Sequence, residues 1–186
     1  MDAVKLLLER ASAVKLQDPG PSGDELETIL RSALRAPDHG RLRPWRFIVI
    51  SGAERDKFGT LLADSLKARD PGAAPETLER ERQKALRAPV ILVVAARTRA
   101  NEQIPEVEQI VSAGAAAAHI MLAAQALGYG AMWRTGAPAY DARVKVGLRL
   151  DASDAIIGMI YVGTSAMAPR ASARPELGDF VTHWHG

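Results

Sequence analysis

The run Pro89-Val90-Ile91-Leu92-Val93-Val94-Ala95-Ala96 is apolar throughout, with none of the alternation that one wet face imposes on a strand. Such a run predicts a strand inside a sheet that is covered on both faces. Helical and strand-like segments follow one another on either side of it along the chain. The segment therefore predicts a layered structure of the α/β type, with helices packed around a small sheet.

Working outward from this strand, apolar spacing predicts the remaining elements. Helices are expected over 2–10, 55–69, 77–87 and 110–127. Another helix is expected to begin at a capping box formed by Ser22 and Glu25 and to stop at Pro37. The 77–87 helix is rich in charge and is interpreted as a solvated face. Further strands are expected over 47–50, 131–133 and 156–162, with a short terminal one over 179–184. With no linker and no internal repeat, residues 1–186 are predicted to form a single domain.

The alanine-rich stretch from Ile110 to Leu127 is nearly uncharged and about as long as a membrane span. Because it also contains Ser112, His119 and Gln125, it is interpreted as a helix buried inside the protein or at a subunit interface. The N-terminus has an acidic second residue and a short apolar run, unlike a signal peptide. We therefore expect a cytoplasmic protein with no membrane partner, which the lack of cysteine suits.

Composition excludes several classes of function. The 24 Lys and Arg against 22 Asp and Glu give a net charge of +2, which argues against a dedicated nucleic-acid binder. The lack of cysteine excludes disulfides, thiolate metal sites and cysteine nucleophiles. The four histidines have no metal-ligand spacing, so no metal site is expected; they are His39, His119, His183 and His185. No nucleophile elbow, phosphate-binding loop or paired-carboxylate motif is present.

Cationic residues concentrate between Arg31 and Arg46, where the only carboxylate is that of Asp38. Arg31 and Arg35 are four residues apart and share one helix face near its C-terminal end. Two interpretations stay open at this point. The residues form either a solvated face that complements the helix dipole or an anion site built from guanidinium groups. Arg10 and Ser12 form a second, weaker candidate for holding a phosphate.

The segment 128–136, Gly-Tyr-Gly-Ala-Met-Trp-Arg-Thr-Gly, has two glycines at the entry to a predicted strand. Glycine allows a ligand to approach the backbone closely. The spacing is not that of a dinucleotide fingerprint, and the segment follows a helix rather than opening one. Trp133 either stacks on a ligand or belongs to the core, and Arg134 needs a partner.

Taken in order, these motifs resemble the FMN-dependent nitroreductase family, and its small single-domain bacterial subgroup above all. The motifs are Arg10-Ala11-Ser12, Arg35-Ala36-Pro37-Asp38-His39 leading to Arg43-Pro44-Trp45, the segment 128–136, and a late strand ending Tyr161-Val162-Gly163-Thr164. The resemblance covers nearly the whole chain. It implies an α+β fold with a central, mixed but mostly antiparallel sheet flanked by helices. It also implies an intertwined homodimer with two FMN sites at the interface, in which the C-terminal segment extends onto the partner's sheet.

The resemblance also implies roles for individual residues. Those that match FMN contacts are Arg10, Ala11, Ser12, Trp133, Arg134 and Thr135, together with Arg35 and His39 acting from the partner chain. The helix end that matches a possible NAD(P)H contact comprises Leu122, Ala123, Ala124, Gln125, Ala126, Leu127 and Gly128. Many relatives carry Arg or Lys near flavin N1 and O2 where this chain has Val14, so Lys15 is the candidate for tuning the flavin. No side chain is expected to act as a catalytic acid or nucleophile.

The implied activity is electron transfer from NADH or NADPH to a small nitroaromatic or quinone-type acceptor. Because one flavin face would serve donor and acceptor in turn, a ping-pong mechanism is expected. Two alternatives are a flavin-binding sensor or carrier without turnover and a sibling flavoenzyme of the same scaffold. The sibling enzymes usually add a lid or a long insertion, for which 186 residues leave little room.

Overall fold

The computed structural model describes residues 2–168 and 175–186. Seven α-helices lie at α1 (Ala3–Glu9), α2 (Gly23–Ala33), α3 (Glu54–Arg69), α4 (Pro75–Arg82), α5 (Glu106–Ala126), α6 (Ala137–Tyr140) and α7 (Ala142–Gly147). Five strands lie at β1 (Leu16–Gln17), β2 (Trp45–Ser51), β3 (Val90–Ala96), β4 (Gly130–Arg134) and β5 (Ala155–Ser165). Short 3₁₀ turns occur at His39–Arg41, Gln83–Leu86 and Leu177–Asp179.

The sheet has the order β1-β5-β3-β2, with β4 also paired to β5. Each pairing in the described residues is antiparallel; Val93 of β3, for example, lies opposite Ile48 of β2 and Met159 of β5. All seven residues of β3 are buried. The prediction of a strand covered on both faces is therefore confirmed, and the α+β arrangement implied by the resemblance is the fold observed.

Two hydrophobic clusters, one on each face of the sheet, form the core. On one face, Phe58 and Leu62 of α3 pack with Val144 of α7. On the other face, Ile29 of α2 packs with Ile120 of α5. Because successive residues of a strand point to opposite faces, β4 contributes Met132 to the first cluster and Ala131 to the second. We call these the α3 face and the α5 face of the sheet.

Helix α5 runs from Glu106 to Ala126 and is the one helix in the described residues that is long and apolar enough to cross a membrane by length and composition alone. Much of it belongs to the core, since Ala113, Ala116 and Ile120 are fully buried against the sheet. Its first two turns differ, because Val107 and Val111 are exposed. The chain alone therefore buries one side of this helix and leaves an apolar patch on the other.

Three local predictions need correction. Ser22 is the N-cap of α2, but its side chain makes no capping hydrogen bond, and the Glu25 carboxylate instead accepts a 2.6 Å hydrogen bond from the Tyr129 hydroxyl. The charged helix predicted over 77–87 is not solvated all round, because Glu81 is only 8% exposed. Residues 179–184 form no strand, since no strand in the described residues pairs with them, and Trp184 is 90% exposed.

A buried carboxylate ties α3 to α7. Asp141 Oδ2 accepts hydrogen bonds from Ser65 Oγ at 2.6 Å and from Arg69 Nε at 3.0 Å. Its Oδ1 accepts the backbone N–H of Arg143 at 2.8 Å and so caps α7. Burial raises the pKa of Asp141, but these hydrogen bonds and the charge of Arg69 outweigh that effect and leave the pKa below its ordinary value.

This carboxylate makes stability depend on pH. Because the native pKa of Asp141 is lowered, its stabilisation is complete above the unfolded pKa and is lost as the pH falls through the native pKa. We expect Asp141→Asn to lower the free energy of unfolding by about 1.5–3 kcal/mol at pH 7, the usual contribution of hydrogen bonds to a charged group. Urea unfolding should show this difference shrinking from pH 5 to pH 3. A difference that stays constant across that range would contradict the assignment.

Candidate functional site

The segment that precedes β1 lies alongside β4. The backbone N–H of Ala13 donates a 2.9 Å hydrogen bond to the carbonyl of Ala131. Gly130 permits this approach, because a Cβ there would stand 2.8 Å from Leu16 Cδ2 and 3.0 Å from Ala13 Cβ. The fold thus brings two sequence-distant motifs together, the one at residues 10–12 and the one at 128–136.

A small cavity of about 190 Å³ opens where these two motifs meet the end of α5. Its lining includes Arg10, Ala11, Met121, Gln125, Gly128 and Tyr129. Among residues 122–128, the helix end matched to NAD(P)H, only Gln125 and Gly128 line the cavity. Ala124 of that set is fully buried in the core of the chain. Ser12 is exposed at the surface nearby and does not line the cavity.

A larger depression lies on the α3 face of β4, and we call it the basic groove. It consists of two cavities, of about 410 Å³ and 290 Å³, that share Arg87 and Arg134. The first is also lined by Val14, Lys15, Leu16, Leu86 and Met132, and the second by Arg69, Glu81, Lys84, Thr135 and Tyr161 among others. Pockets for cofactor-sized ligands generally enclose about 300–1,000 Å³. The basic groove is therefore large enough for such a ligand.

The basic groove holds an excess of positive charge. Within residues 2–168 and 175–186, the side chains of Lys15, Arg87 and Arg134 form no ion pair, and the Nε of Arg134 contacts only the Met132 sulfur, at 3.0 Å. Burial raises the pKa of Tyr161, and the charges of Arg87 and Arg134 act against that rise. The side chains of Lys15, Arg87 and Arg134 are exposed, and cations that line one groove without ion-pair partners favour an anionic ligand.

One atom in the groove wall is an unsatisfied acceptor. Glu81 Oε2 accepts from Lys84 Nζ at 2.5 Å, but Glu81 Oε1 is buried and has no hydrogen-bond partner, alone in this respect among the side-chain atoms described. Leaving a buried acceptor unpaired costs about 1–3 kcal/mol. Glu81, a residue of the groove wall, thus keeps one buried acceptor oxygen unpaired.

The charged helix did contain a signal for Glu81. Leu78, Glu81 and Ala85 follow the spacing of three and four residues that defines one helix face, and the apolar members of that set predict its burial. Arg87 and Tyr161 gave no such signal, because an arginine at the end of a charged helix is typical of a solvated face and a tyrosine in an apolar strand is typical of a core.

Trp133 belongs to the core rather than to the basic groove. Its side chain lies on the α5 face, and its Nε1 donates a 3.3 Å hydrogen bond to the carbonyl of Ile157. The ring packs over Gly158, where a Cβ would stand 2.1 Å from Nε1. The ring therefore packs against the core of the single chain, and its contact with FMN stays a prediction.

Within one chain, Arg35 and His39 line neither the small cavity at the end of α5 nor the basic groove. Arg35 is exposed just beyond the end of α2, and His39 Nδ1 contacts Glu108 Oε2 at 2.6 Å. His39 lines a separate apolar cavity with Val107 and Val111. These two residues could therefore serve the groove of a second copy but not their own.

The remaining candidates have ordinary structural roles. Arg31 pairs with Glu27 through a 2.7 Å hydrogen bond on the exposed side of α2, which decides for Arg31 in favour of a solvated face. His119 is half-buried and donates from Nδ1 to the carbonyl of Ser32 at 3.1 Å. In the described part of the chain, no three metal-ligating side chains come together.

Comparison with known proteins gives consistent matches. The family model described as “Nitroreductase family” matches residues 7–164. The protein of Escherichia coli K12 named “Putative NAD(P)H nitroreductase YdjA” is 37% identical over 185 residues, which are 99% of this chain and 100% of that protein. A similarly named protein of Haemophilus influenzae is 35% identical over 98% of this chain and its own full length.

Solved structures match the fold as well. A nitroreductase-like family protein from Bacillus cereus superposes with a TM-score of 0.85 at 23% identity, covering 100% of this chain and 97% of the other. A Desulfovibrio desulfuricans structure described as a “putative nitroreductase in complex with FMN” gives a TM-score of 0.76 at 25% identity, covering 100% and 99%. The fold and the family that the sequence motifs suggested are thus confirmed.

Proposed function

Because this chain belongs to the nitroreductase family, we propose that it is an FMN-dependent oxidoreductase that passes electrons from NADH or NADPH to a nitroaromatic or quinone-type acceptor. The relatives carry nitroreductase names, and the D. desulfuricans protein was solved with FMN. The observation in this chain that carries the proposal is the basic groove with its unpaired acceptor. Its charge, size and hydrogen-bonding character together suit a flavin mononucleotide.

The residues present fit FMN. Oxidised flavin has one ring N–H, flanked by two carbonyl oxygens, and Glu81 Oε1 is an acceptor without a donor. Arg87 and Arg134 can donate to flavin carbonyls or to the phosphate, and Lys15 lines the same groove. We assign Arg10 and Ser12 to the phosphate and ribityl end, and Arg134 and Thr135 to the ring end. Once bound, FMN supplies the hydride and electron transfer chemistry.

The chain's own contribution is to bind, orient and tune. Positive charge beside the groove stabilises a bound ligand that gains negative charge. Because the positive side chains are already in place, the protein does not have to reorganise when that negative charge develops on the ligand. Lys15 is our candidate for this effect, with Arg87 in the same cavity. Leu16 and Met132 give the groove an apolar floor, which keeps water away from the ligand.

We propose that the protein acts as a homodimer. Val107 and Val111 of α5 are exposed beside His39, and α1 has no buried residue although Val4, Leu7 and Leu8 are apolar. Exposed apolar patches of this kind mark interaction surfaces. In the dimer we propose, Arg35 and His39 of one copy contact the FMN of its partner. Each chain then forms one domain over residues 1–186, and we place the enzyme in the cytoplasm.

The purified protein should be yellow and contain about one FMN per chain, identified after denaturation.

With NAD(P)H and a quinone, double-reciprocal plots should be parallel, because donor and acceptor would use the groove in turn. Intersecting lines would mean that both substrates bind together, which contradicts the mechanism. Protein that binds FMN without oxidising NAD(P)H would be a flavin carrier, and protein that takes up no FMN would overturn the proposal.

A further inference from the structure

The loop between α2 and β2, residues 37–43, has an unusual backbone. Gly40, Arg41 and Arg43 adopt left-handed conformations, with φ of 65°, 56° and 50°. Gly40 has a packing reason, since a Cβ there would stand 2.3 Å from Ile104 Cδ1. For the two arginines, which have a Cβ, this conformation is sparsely populated and must be enforced by the surroundings.

Hydrogen bonds to main-chain atoms hold this loop. Asp38 Oδ2 accepts the backbone N–H of Arg43 at 2.8 Å, and Arg46 Nη1 donates to the carbonyl of Arg43 at 3.1 Å. Arg46 Nη1 also reaches the carbonyl of Trp45, at 2.7 Å, at the start of β2. The loop therefore presents the Arg41 and Arg43 side chains from a backbone that is fixed at both ends.

Charge in this loop is not balanced. Arg41 and Arg43 are exposed, and their guanidinium groups have no carboxylate partner among the described residues. Arg69 and Arg97, in contrast, are paired with Asp141 and Asp154. Two carboxylates that contact this loop are already engaged, since Asp38 binds a backbone N–H and Glu108 binds His39.

We propose that Arg41 and Arg43 bind the 2′-phosphate of NADPH, so that the enzyme uses NADPH in preference to NADH. This inference rests on the proposed function, in which the same loop lies at the partner's groove. A terminal phosphate carries close to two negative charges and three acceptor oxygens, which suits two guanidinium forks. NADH presents a ribose diol at that place, for which proteins use a carboxylate. This loop has no free carboxylate and two free arginines.

Adenosine 2′,5′-bisphosphate and adenosine 5′-monophosphate differ only in the phosphate at issue. Calorimetric titration of the flavin-loaded protein should show the bisphosphate binding at least about tenfold more tightly, since hydrogen bonds to a charged group are strong. Arg41→Gln with Arg43→Gln should abolish that difference. The double variant should also raise the KM for NADPH about tenfold while the KM for NADH stays within about twofold.

Arg31→Gln is the matched control, because Arg31 is an equally exposed arginine nearby that is already paired with Glu27. It should leave the discrimination between the two nucleotides unchanged. Equal affinities in the unaltered protein would overturn the inference. So would loss of FMN from the double variant with an unchanged NADPH-to-NADH ratio, which would assign the arginines to the flavin phosphate. Failure of the proposed function is separate, since it appears as protein that takes up no FMN.

Discussion

Arg10→Ala and Arg134→Ala should each release FMN, with the dissociation constant for FMN rising about 30-fold or more. Arg10 lines the small cavity at the end of α5 and Arg134 lines the basic groove, and neither makes an ion pair in the described structure. Removing one partner of a hydrogen-bonded charge pair that becomes buried on binding costs roughly 2–5 kcal/mol. At about 1.4 kcal/mol per decade, this gives the expected loss of affinity. Fluorescence titration of the apoprotein with FMN measures it directly.

Two matched variants make this test specific. Arg31→Ala removes the same charge from a residue that is paired on the surface, and it should keep FMN. Lys15→Ala should also keep most of its FMN but lower the reduction potential of the flavin and slow its reduction by NAD(P)H. If Lys15→Ala leaves the potential unchanged, the tuning role passes to Arg87, which lines the same cavity. Full FMN retention in both Arg10→Ala and Arg134→Ala would refute the assigned binding roles.

Val111→Asp should convert the protein into monomers that bind FMN poorly. Val111 is 64% exposed on α5 and lines the same cavity as His39. Burying an uncompensated carboxylate at an interface costs several kcal/mol. This corresponds to a dimer dissociation constant that rises on the order of 100-fold or more. Light scattering at micromolar concentration should report the monomer, and absorbance of the same sample should report the lost flavin.

Val146→Asp is the control for this experiment. Val146 is 73% exposed on α7, away from α5, and the substitution is chemically identical. It should leave the dimer and its FMN intact. If Val111→Asp remains a dimer, the exposed side of α5 is not the interface. If it becomes a monomer that still holds FMN tightly, Arg35 and His39 of a second chain do not contribute to the site.

Local patterns predicted most of the secondary structure, because burial leaves a direct trace in them. The uninterrupted apolar run at Val90–Ala96 was predicted to be a strand covered on both faces, and this is confirmed. The uncharged, alanine-rich stretch was predicted as a helix that packs closely, and α5 packs in this way along one side. The motifs at Arg10, at Arg35 and in 128–136 were sufficient to indicate the family, since their order along the chain is itself the signature.

Other features depended on contacts that no local pattern contains. Residues 179–184 have the composition of a strand, but a strand exists only where a neighbour satisfies its backbone N–H and C=O groups. Trp133 was equally compatible with a ligand site and with the core, and only the fold shows that its partly buried ring packs over Gly158. Arg35 and His39 belong to a motif that indicates the family, yet within one chain they line neither the small cavity nor the basic groove.

The amino-acid sequence by itself therefore determined most of the helices and strands, which strand is central, and which family the chain resembles. These properties follow from periodicity, apolar content and motif order, all of which are local or linear. Only the tertiary structure decided that Glu81, in the wall of a groove, has an unpaired oxygen, that Arg87 and Arg134 line the same groove, and that Arg41 and Arg43 have no carboxylate partner among the described residues. The reason is physical: whether a charge or an acceptor is satisfied depends on which distant residues the fold brings within hydrogen-bonding distance of it.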